Sequence, residues 1–323
     1  MDPPQFKSVK APGNKESFRE LMTLFPPEVA KENKAGIQKI CYKCEKNVED
    51  LKKCGRCKAI WYCSVECQRA DWRNHKQVCN STGSENFVRL QRLSQNFMAN
   101  APLIFYIQQY CALAFNLTAA GGCHPERARR IIVDIGIEPV EITTFLKLPL
   151  PDEVANVPRP IRGMLQVTAI TKHPESQAIP EDRMVLWRNS RNGAVAAGSG
   201  NHPIILVEYR LRENLSTITT TMPIPPPILE IVRERKPFEC VSAFRGKFEK
   251  PMTENNVIEL LNMLIRQDKR GQFKLQVDLN ESDIDIIRNF AMADENSPGE
   301  RRRLLEKTKR EDIYVVRLSN HVL

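Results

Sequence analysis

The 323-residue chain is defined first by what it lacks. It opens on Met1-Asp2-Pro3-Pro4-Gln5 without an apolar stretch, so neither a secretory signal nor a disulfide-forming compartment is expected. Its most apolar stretch, 97–117, is interrupted by Asn100, Pro102, Gln108, Gln109 and Asn116, which favours a core helix over a membrane span. There is no internal repeat. Gly198-Ser199-Gly200 lacks the third glycine and the strand-to-helix setting of a phosphate loop, and a hairpin turn is expected there. Cys123-His124 has no third group to orient it as a nucleophile and base, and no catalytic residue is assigned. Histidine is scarce, at five residues, yet one of them falls in the one window crowded with cysteine.

That window reads CYKCEKNVEDLKKCGRCKAIWYCSVECQRADWRNHKQVC, from Cys41 to Cys79, and holds seven of the ten cysteines. The candidate ligands fall in pairs: Cys41/Cys44, Cys54/Cys57, Cys63/Cys67 and His75/Cys79. Structural zinc takes four thiolate or imidazole ligands, and a C-x2-C pair sets two sulfurs on one tight turn. Eight such ligands suit two zinc ions. Cys63/Cys67 and His75/Cys79 are each four apart, so each pair is predicted to share one face of a short helix, with Asp71 as N-cap of the second. A 39-residue segment cannot build an adequate hydrophobic core, so metal is expected to supply most of its folding energy, on the order of 10–16 kcal/mol per site. With every position filled by protein, both zincs are expected to be structural rather than catalytic.

The spacing C-x2-C-x9-C-x2-C-x5-C-x3-C-x7-H-x3-C closely resembles the MYND zinc finger, over about one eighth of the chain. The resemblance implies a small cross-brace two-zinc fold with interleaved ligands: Cys41, Cys44, Cys63 and Cys67 for the first zinc, and Cys54, Cys57, His75 and Cys79 for the second. It also implies a protein–protein interaction module that binds short proline-containing peptides. The family's C-Q-x3-W element places the peptide-binding roles on Gln68 and Trp72, although Trp72 packing the finger's own small core is an alternative.

Charge supports peptide over phosphate. The chain is formally +9 with its cysteines counted neutral. The finger carries nine Lys and Arg against five Asp and Glu. Seven zinc-bound thiolates and two Zn2+ bring its +4 down to about +1, and the whole chain to about +6. Nucleic-acid binding is therefore not expected. The basic loop of Lys52, Lys53, Arg56 and Lys58 is read as solvated or as steering an acidic partner.

Outside the finger, 41% hydrophobic and 27% charged residues describe a globular protein of about two domains. Residues 1–40 are read as a loosely ordered polar arm with one short helix, Phe18 to Phe25, ended by Pro26-Pro27. Residues 80–122 are read as a helical segment following the finger, one long pattern from Ser84 to about Ala120 with a break or kink at Pro102. Residues 123–323 are read as an α+β domain. Strands are predicted over Ile131–Ile137, Ile142–Leu148, Met164–Ile170, Met184–Trp187, Ile204–Leu211, Ser216–Met222, Lys274–Leu279 and Ile313–Leu318. Helices are predicted over Thr253–Gln267, Ser282–Ala293 and Gly299–Lys309. Pro149–Pro160 and Pro223–Pro227 read as connections, and Cys111 and Cys240 as buried small hydrophobes. Arg301-Arg302-Arg303, Lys307, Lys309 and Arg310 read as a solvated helix face. The Pro223–Leu229 segment loosely resembles the peptides that MYND fingers bind, which raises docking onto a finger beside a plain linker.

The expected function is a zinc-binding interaction adaptor or regulator, intracellular in nucleus or cytoplasm, with protein partners, no membrane and no enzymatic activity. MYND fingers also occur within SET-domain lysine methyltransferases, which makes such an enzyme the alternative, beside a DNA-binding regulator. The methyltransferase resemblance calls for an N-H-S-type motif and a trailing cysteine cluster. The nearest string is Asn201-His202-Pro203, and only Cys240 lies beyond residue 124.

Overall fold

A computed structural model describes residues 15–36, 41–44, 46, 48, 50–57, 60–79, 82–174, 176–211, 217–242 and 246–314. Residues 1–14 and 37–40 of the arm, Lys58, residues 80–81, Ser216 and residues 315–323, all within the expectations above, lie outside that set.

The arm is better built than expected. Helix α1 (Lys15–Leu24) turns Phe18 and Leu21 into the main core, and the Phe18 ring meets Phe273 edge-on at 5.7 Å. Proline ends α1 and also opens α2 (Pro27–Gly36), since a first-turn residue needs no N–H partner. The finger follows as β1 (Lys52–Lys53), β2 (Trp61–Tyr62) and α3 (Val65–Cys79). Beyond it the expected long helical pattern is broken into two helices, α4 (Thr82–Ala99) and α5 (Ala101–Ala114). The break is at Asn100, whose amide donates to Asn96 O at 2.6 Å and Phe273 O at 3.2 Å, with Pro102 in the first turn of α5. Lys34 Nζ of α2 donates to Asn96 Oδ1 of α4 at 2.5 Å, which ties the arm down.

Then come β3 (Arg129–Pro139), α6 (Ile142–Lys147), α7 (Pro151–Val154), β4 (Arg162–Lys172), α8 (Glu181–Ala196), β5 (Ile204–Arg210) and β6 (Ile218–Pro223). The chain continues through α9 (Pro226–Glu234), the hairpin β7 (Phe238–Ser242) and β8 (Gly246–Lys250), α10 (Glu254–Gln267), β9 (Gln276–Asp278), α11 (Glu281–Asn289) and α12 (Gly299–Arg310). Five strands form one mixed sheet in the order β6-β5-β3-β4-β9, with β3 and β5 parallel and the other pairs antiparallel. In β5, Ile205, Val207 and Tyr209 face the main core while Ile204 and Leu206 pack with Trp187 of α8. Burial on both faces explains its unbroken apolar run. The α+β reading holds with this mixed sheet.

Several local expectations are corrected. Ile142–Leu148 is the helix α6, because Ile142, Phe145 and Leu146 share a helical face despite the β-branched Thr143-Thr144. Met184–Trp187 lies within α8, where Trp187 and Arg191 are the buried residues, four apart. Gly198–Gly200 turns from the end of α8 toward β5 rather than closing a hairpin. Pro226-Pro227 are the first turn of α9. Ile224 and Ile228 are buried in the core, whereas Pro223, Pro226 and Pro227 of the same segment are exposed. Ile313-Tyr314 belong to a helical turn rather than a strand, and both Cys111 and Cys240 are buried as expected.

The expected solvated face of α12 is solvated only in part: Arg302 and Lys309 are exposed, but Lys307 is not. Lys307 has 0% exposure. Its ammonium donates to Tyr314 Oη at 2.5 Å and lies 3.0 Å from both Glu138 Oε1 and Glu311 Oε2. Arg266 and Tyr314 also donate to Glu138, and Asn262 donates to Glu311 at 2.7 Å. Burial alone would raise the Glu138 carboxyl, but Lys307 and Arg266 outweigh it and hold it below the usual range. Arg303 reaches Asp134 at 3.7 Å. The buried charges join β3, α10 and α12 across the sequence. Removing one partner of a buried pair is costly, so Lys307→Met should lower the unfolding free energy by about 3–5 kcal/mol in urea denaturation, against about 0.5 or less for Lys309→Met. Equal, small effects of the two would return α12 to the solvated reading.

Candidate metal centre

The finger is built from two tight turns, a short ladder and one helix. At the first turn, Cys41 N–H donates to Lys46 O at 2.9 Å, and Tyr42 N–H to Trp61 O at 2.8 Å. At the second, Cys54 N–H donates to Ile60 O at 2.8 Å. Strands β1 and β2 pair Lys52 with Tyr62 and Lys53 with Trp61, joining the turns. Ser64 caps α3 by accepting from Cys67 N–H at 3.2 Å. This moves the helix start upstream of the expected one. Cys67, His75 and Cys79 all lie on the single helix α3, and Asp71 is an interior residue instead of a cap.

Asp71 is buried and accepts from Tyr62 Oη at 2.6 Å, so one hydrogen bond clamps the ladder to the helix. Burial and then Asp71 raise the Tyr62 hydroxyl above its ordinary value, keeping it a donor. The rest of the finger's apolar filling is small: Ile60 and Tyr62 with Leu51, Trp72 and, from α4, Phe87. The clamp had no sequence signature beyond a tyrosine beside a cysteine.

Two groups of four donors result. Cys41, Cys44, Cys63 and Cys67 form one, and Cys54, Cys57, His75 and Cys79 the other, with the donor atoms of each group within 4.8 Å of one another. In the first, Cys63 Sγ lies 3.5 Å from Cys44 Sγ and 3.4 Å from Cys67 Sγ. In the second, His75 Nε2 lies 3.3 Å from Cys54 Sγ and 3.5 Å from Cys57 Sγ, and Cys54 and Cys79 are 3.9 Å apart. A tetrahedron with arms of about 2.3 Å has edges of about 3.8 Å, so both groups fit one zinc each. All ten cysteines are free thiols rather than disulfides. The groups alternate along the sequence, which is a cross-brace.

The thiols are unequal. Burial opposes ionisation of Cys41, but the backbone N–H groups of Cys63, Cys44 and Lys43 outweigh it and lower the thiol to about 6. In the other group burial is again outweighed, by the backbone at Cys57 and Arg56 and by His75, and Cys54 falls to about 6. Hydrogen bonding to Cys67, Cys41 and Cys44 pushes Cys63 up to about 12, and burial followed by Cys54 pushes Cys79 up to about 11. Cys41 and Cys54 are thus the ready thiolates, one in each group, and metal charge is needed to ionise Cys63 and Cys79.

Gln68 and Trp72 lie on α3, four apart and half-buried. The Trp72 ring meets His75 edge-on at 5.9 Å, so it touches the metal group and retains an accessible part. Cys123 and His124 are both exposed and neither belongs to the donor groups.

The low thiols set a pH window. Their folded values lie below the ordinary 9.0, so the stability they contribute is present above that value and is lost as pH falls through about 6. Zinc release to a chromogenic chelator should be slow at about pH 7.5 and more than tenfold faster at about pH 5. A release rate flat across that range would contradict the thiolate arrangement.

Comparison with known proteins fits this geometry. Residues 41–79 match the MYND finger model. SET domain-containing protein 14 of Caenorhabditis elegans is 37% identical over 70 residues, 20% of this chain and 16% of that protein. N-lysine methyltransferase SMYD2 of Bos taurus is 55% identical over 40 residues, and that of Homo sapiens 52% over 40, each covering 12% of this chain and 9% of the relative. The chain thus spans less than a fifth of the length of these curated relatives. Their names overturn the expectation that enzymatic activity is absent: proteins sharing the finger are named methyltransferases, with the SMYD2 likeness confined to the finger. No solved structure matches the chain. No helix among the described residues is long and apolar enough to cross a membrane. A further family model, described as Domain of unknown function (DUF8205), matches residues 86–314, well over half of the chain, and the protein belongs to that family.

Proposed function

We propose that the protein is an adaptor or regulator whose MYND finger captures a proline-containing segment of a partner protein. In this reading Cys41, Cys44, Cys63 and Cys67 hold one structural zinc, and Cys54, Cys57, His75 and Cys79 the other. Residues 41–79 form the interaction unit, the arm 1–40 precedes it, and the helical segment 80–122 with the α+β region 123–323 forms the body that carries it.

The observation that carries the reading is the position of Trp72. One side of its ring lies against His75, which the zinc would immobilise, and the residue keeps part of its surface accessible. Gln68 lies one turn earlier on the same helix, a polar group beside an aromatic platform. A proline-rich ligand is already extended and stiff, so a preformed platform binds it at little entropic cost. With every donor position filled by protein, the zincs act here by fixing α3 against the ladder. Partner proteins fit better than nucleic acid, because the zinc-loaded finger is close to neutral. The chemistry of the finger fits a reducing compartment, nucleus or cytoplasm.

A second reading comes from the names of the relatives. Lysine methyl transfer would need a methyl-donor site in the body, and the SMYD2 likeness that suggests it is confined to the finger. Calorimetric titration of the full-length protein with the methyl donor tests it: saturable binding supports an enzyme, and flat heats remove that reading.

For the adaptor reading, Trp72→Ala should leave the zinc content at about two per chain and reduce partner retention in affinity capture by at least about tenfold, the scale of an aromatic anchor. Undiminished capture by a zinc-loaded Trp72→Ala protein would sink the proposed groove.

A further inference from the structure

The outward side of α3 carries a charge asymmetry that the metal sites do not require. Cys67, Asp71, His75 and Cys79 recur every four residues and form the inward stripe toward the metal groups. At about 100° per residue, Trp72 and Val65 fall beside that stripe, and Lys76, Arg69 and Arg73 follow in that order on the side away from the metal. Val65 is exposed, Trp72 is half-buried, and Lys76, Arg69 and Arg73 are all exposed. An apolar shoulder is thus rimmed along one side by three cations.

Local structure leaves this rim mostly unaccounted for. Lys76 is in the last turn, where a cation suits the helix dipole, but Arg69 and Arg73 are mid-helix, where that effect is spent. Arg69 and Arg73 are four apart and Arg73 and Lys76 three apart, spacings at which like charges destabilise a helix. Glu66 at the first turn lies near Arg69. Arg73 and Lys76 have no ion-pair partner among the described residues. Some arginines of the body are engaged, Arg89 with Asp283, Arg210 with Asp134 and Arg191 with Glu126, while Arg233, Arg235, Arg270 and Arg288 are exposed like those of α3.

We infer that the partner segment is an apolar, proline-containing peptide bearing acidic residues on the side that meets Arg69, Arg73 and Lys76. The inference rests on the peptide-capture reading and specifies its ligand. Carboxylates there would relieve the repulsion along α3 while the apolar part covers Val65 and Trp72. The attraction is solvent-exposed, so it contributes selectivity and association rate more than affinity, and salt screens it.

The test uses the full-length, zinc-loaded protein and an array of synthetic 12-residue peptides with proline-containing apolar centres and acidic, neutral or basic flanks. Acidic flanks should bind about tenfold tighter than basic ones at about 50 mM salt, with the gap shrinking to about twofold near 500 mM. The triple variant R69E/R73E/K76E, checked for unchanged zinc content, should invert the preference, and Trp72→Ala should weaken every peptide. Binding that needs Trp72 but ignores flank charge overturns the acidic-partner inference and leaves peptide capture standing. Binding indifferent to Trp72, or no binding by any peptide, overturns both. Tighter binding of a DNA or RNA oligonucleotide than of the best peptide assigns the cations to phosphate and also overturns the inference.

Discussion

Everything proposed for the finger depends on the bar that both metal groups share. Helix α3 supplies Cys67 to one group and His75 and Cys79 to the other, so neither group can form unless that helix is in place. The hydrophobic contribution is too small to place it: among the described residues, Ile60 and Tyr62 are the finger's buried apolar side chains besides its cysteines. Two zinc ions and one buried hydrogen bond, Tyr62 to Asp71, fix the helix against the ladder. The same placement sets Trp72 against His75 and turns Val65, Arg69, Arg73 and Lys76 outward. Metal coordination and the interaction surface are two sides of one helix.

The body is held by different physics. A conventional core fills the space between the sheet and helices α1, α4, α5 and α10, and within it lies a buried network of the charges on Glu138, Arg266, Lys307 and Glu311 with the neutral hydroxyl of Tyr314. Asn262 completes the set by pairing with both the N–H and C=O of Val167 at 2.7 Å, doing for that stretch of β4 what a neighbouring strand would do. Contact between finger and body includes Phe87 of α4, which packs on the finger's core.

Legibility in the sequence followed the range of the interactions. The finger was readable because its ligands are close in sequence, and C-x2-C and C-x3-C spacings are constrained by the metal itself. Asp71 was misread because a cap and a buried acceptor look alike without knowing where the helix begins. Strands such as Ile131–Ile137 and Ile204–Leu211 were clear from dense β-branched residues, whereas Ile142–Leu148 and Met184–Trp187 are short apolar runs whose period is ambiguous. Lys307 was placed in solvent because its neighbours in sequence are charged. Its partner Glu138 is 169 residues away, a pairing that no local pattern carries. The proline pair at 226–227 reads as a connection in the sequence, yet proline is equally at home in the first turn of a helix.

The central claim is that two metal ions, bound through seven sulfurs and one nitrogen, form the finger. X-ray absorption at the zinc edge of the full-length protein, with metal content measured on the same sample, tests it directly. The account predicts two zincs per chain, sulfur at about 2.3 Å, a minor nitrogen contribution at about 2.0 Å and no oxygen ligand. One zinc per chain, or a shell with oxygen in it, would contradict the cross-brace and the surface that depends on it.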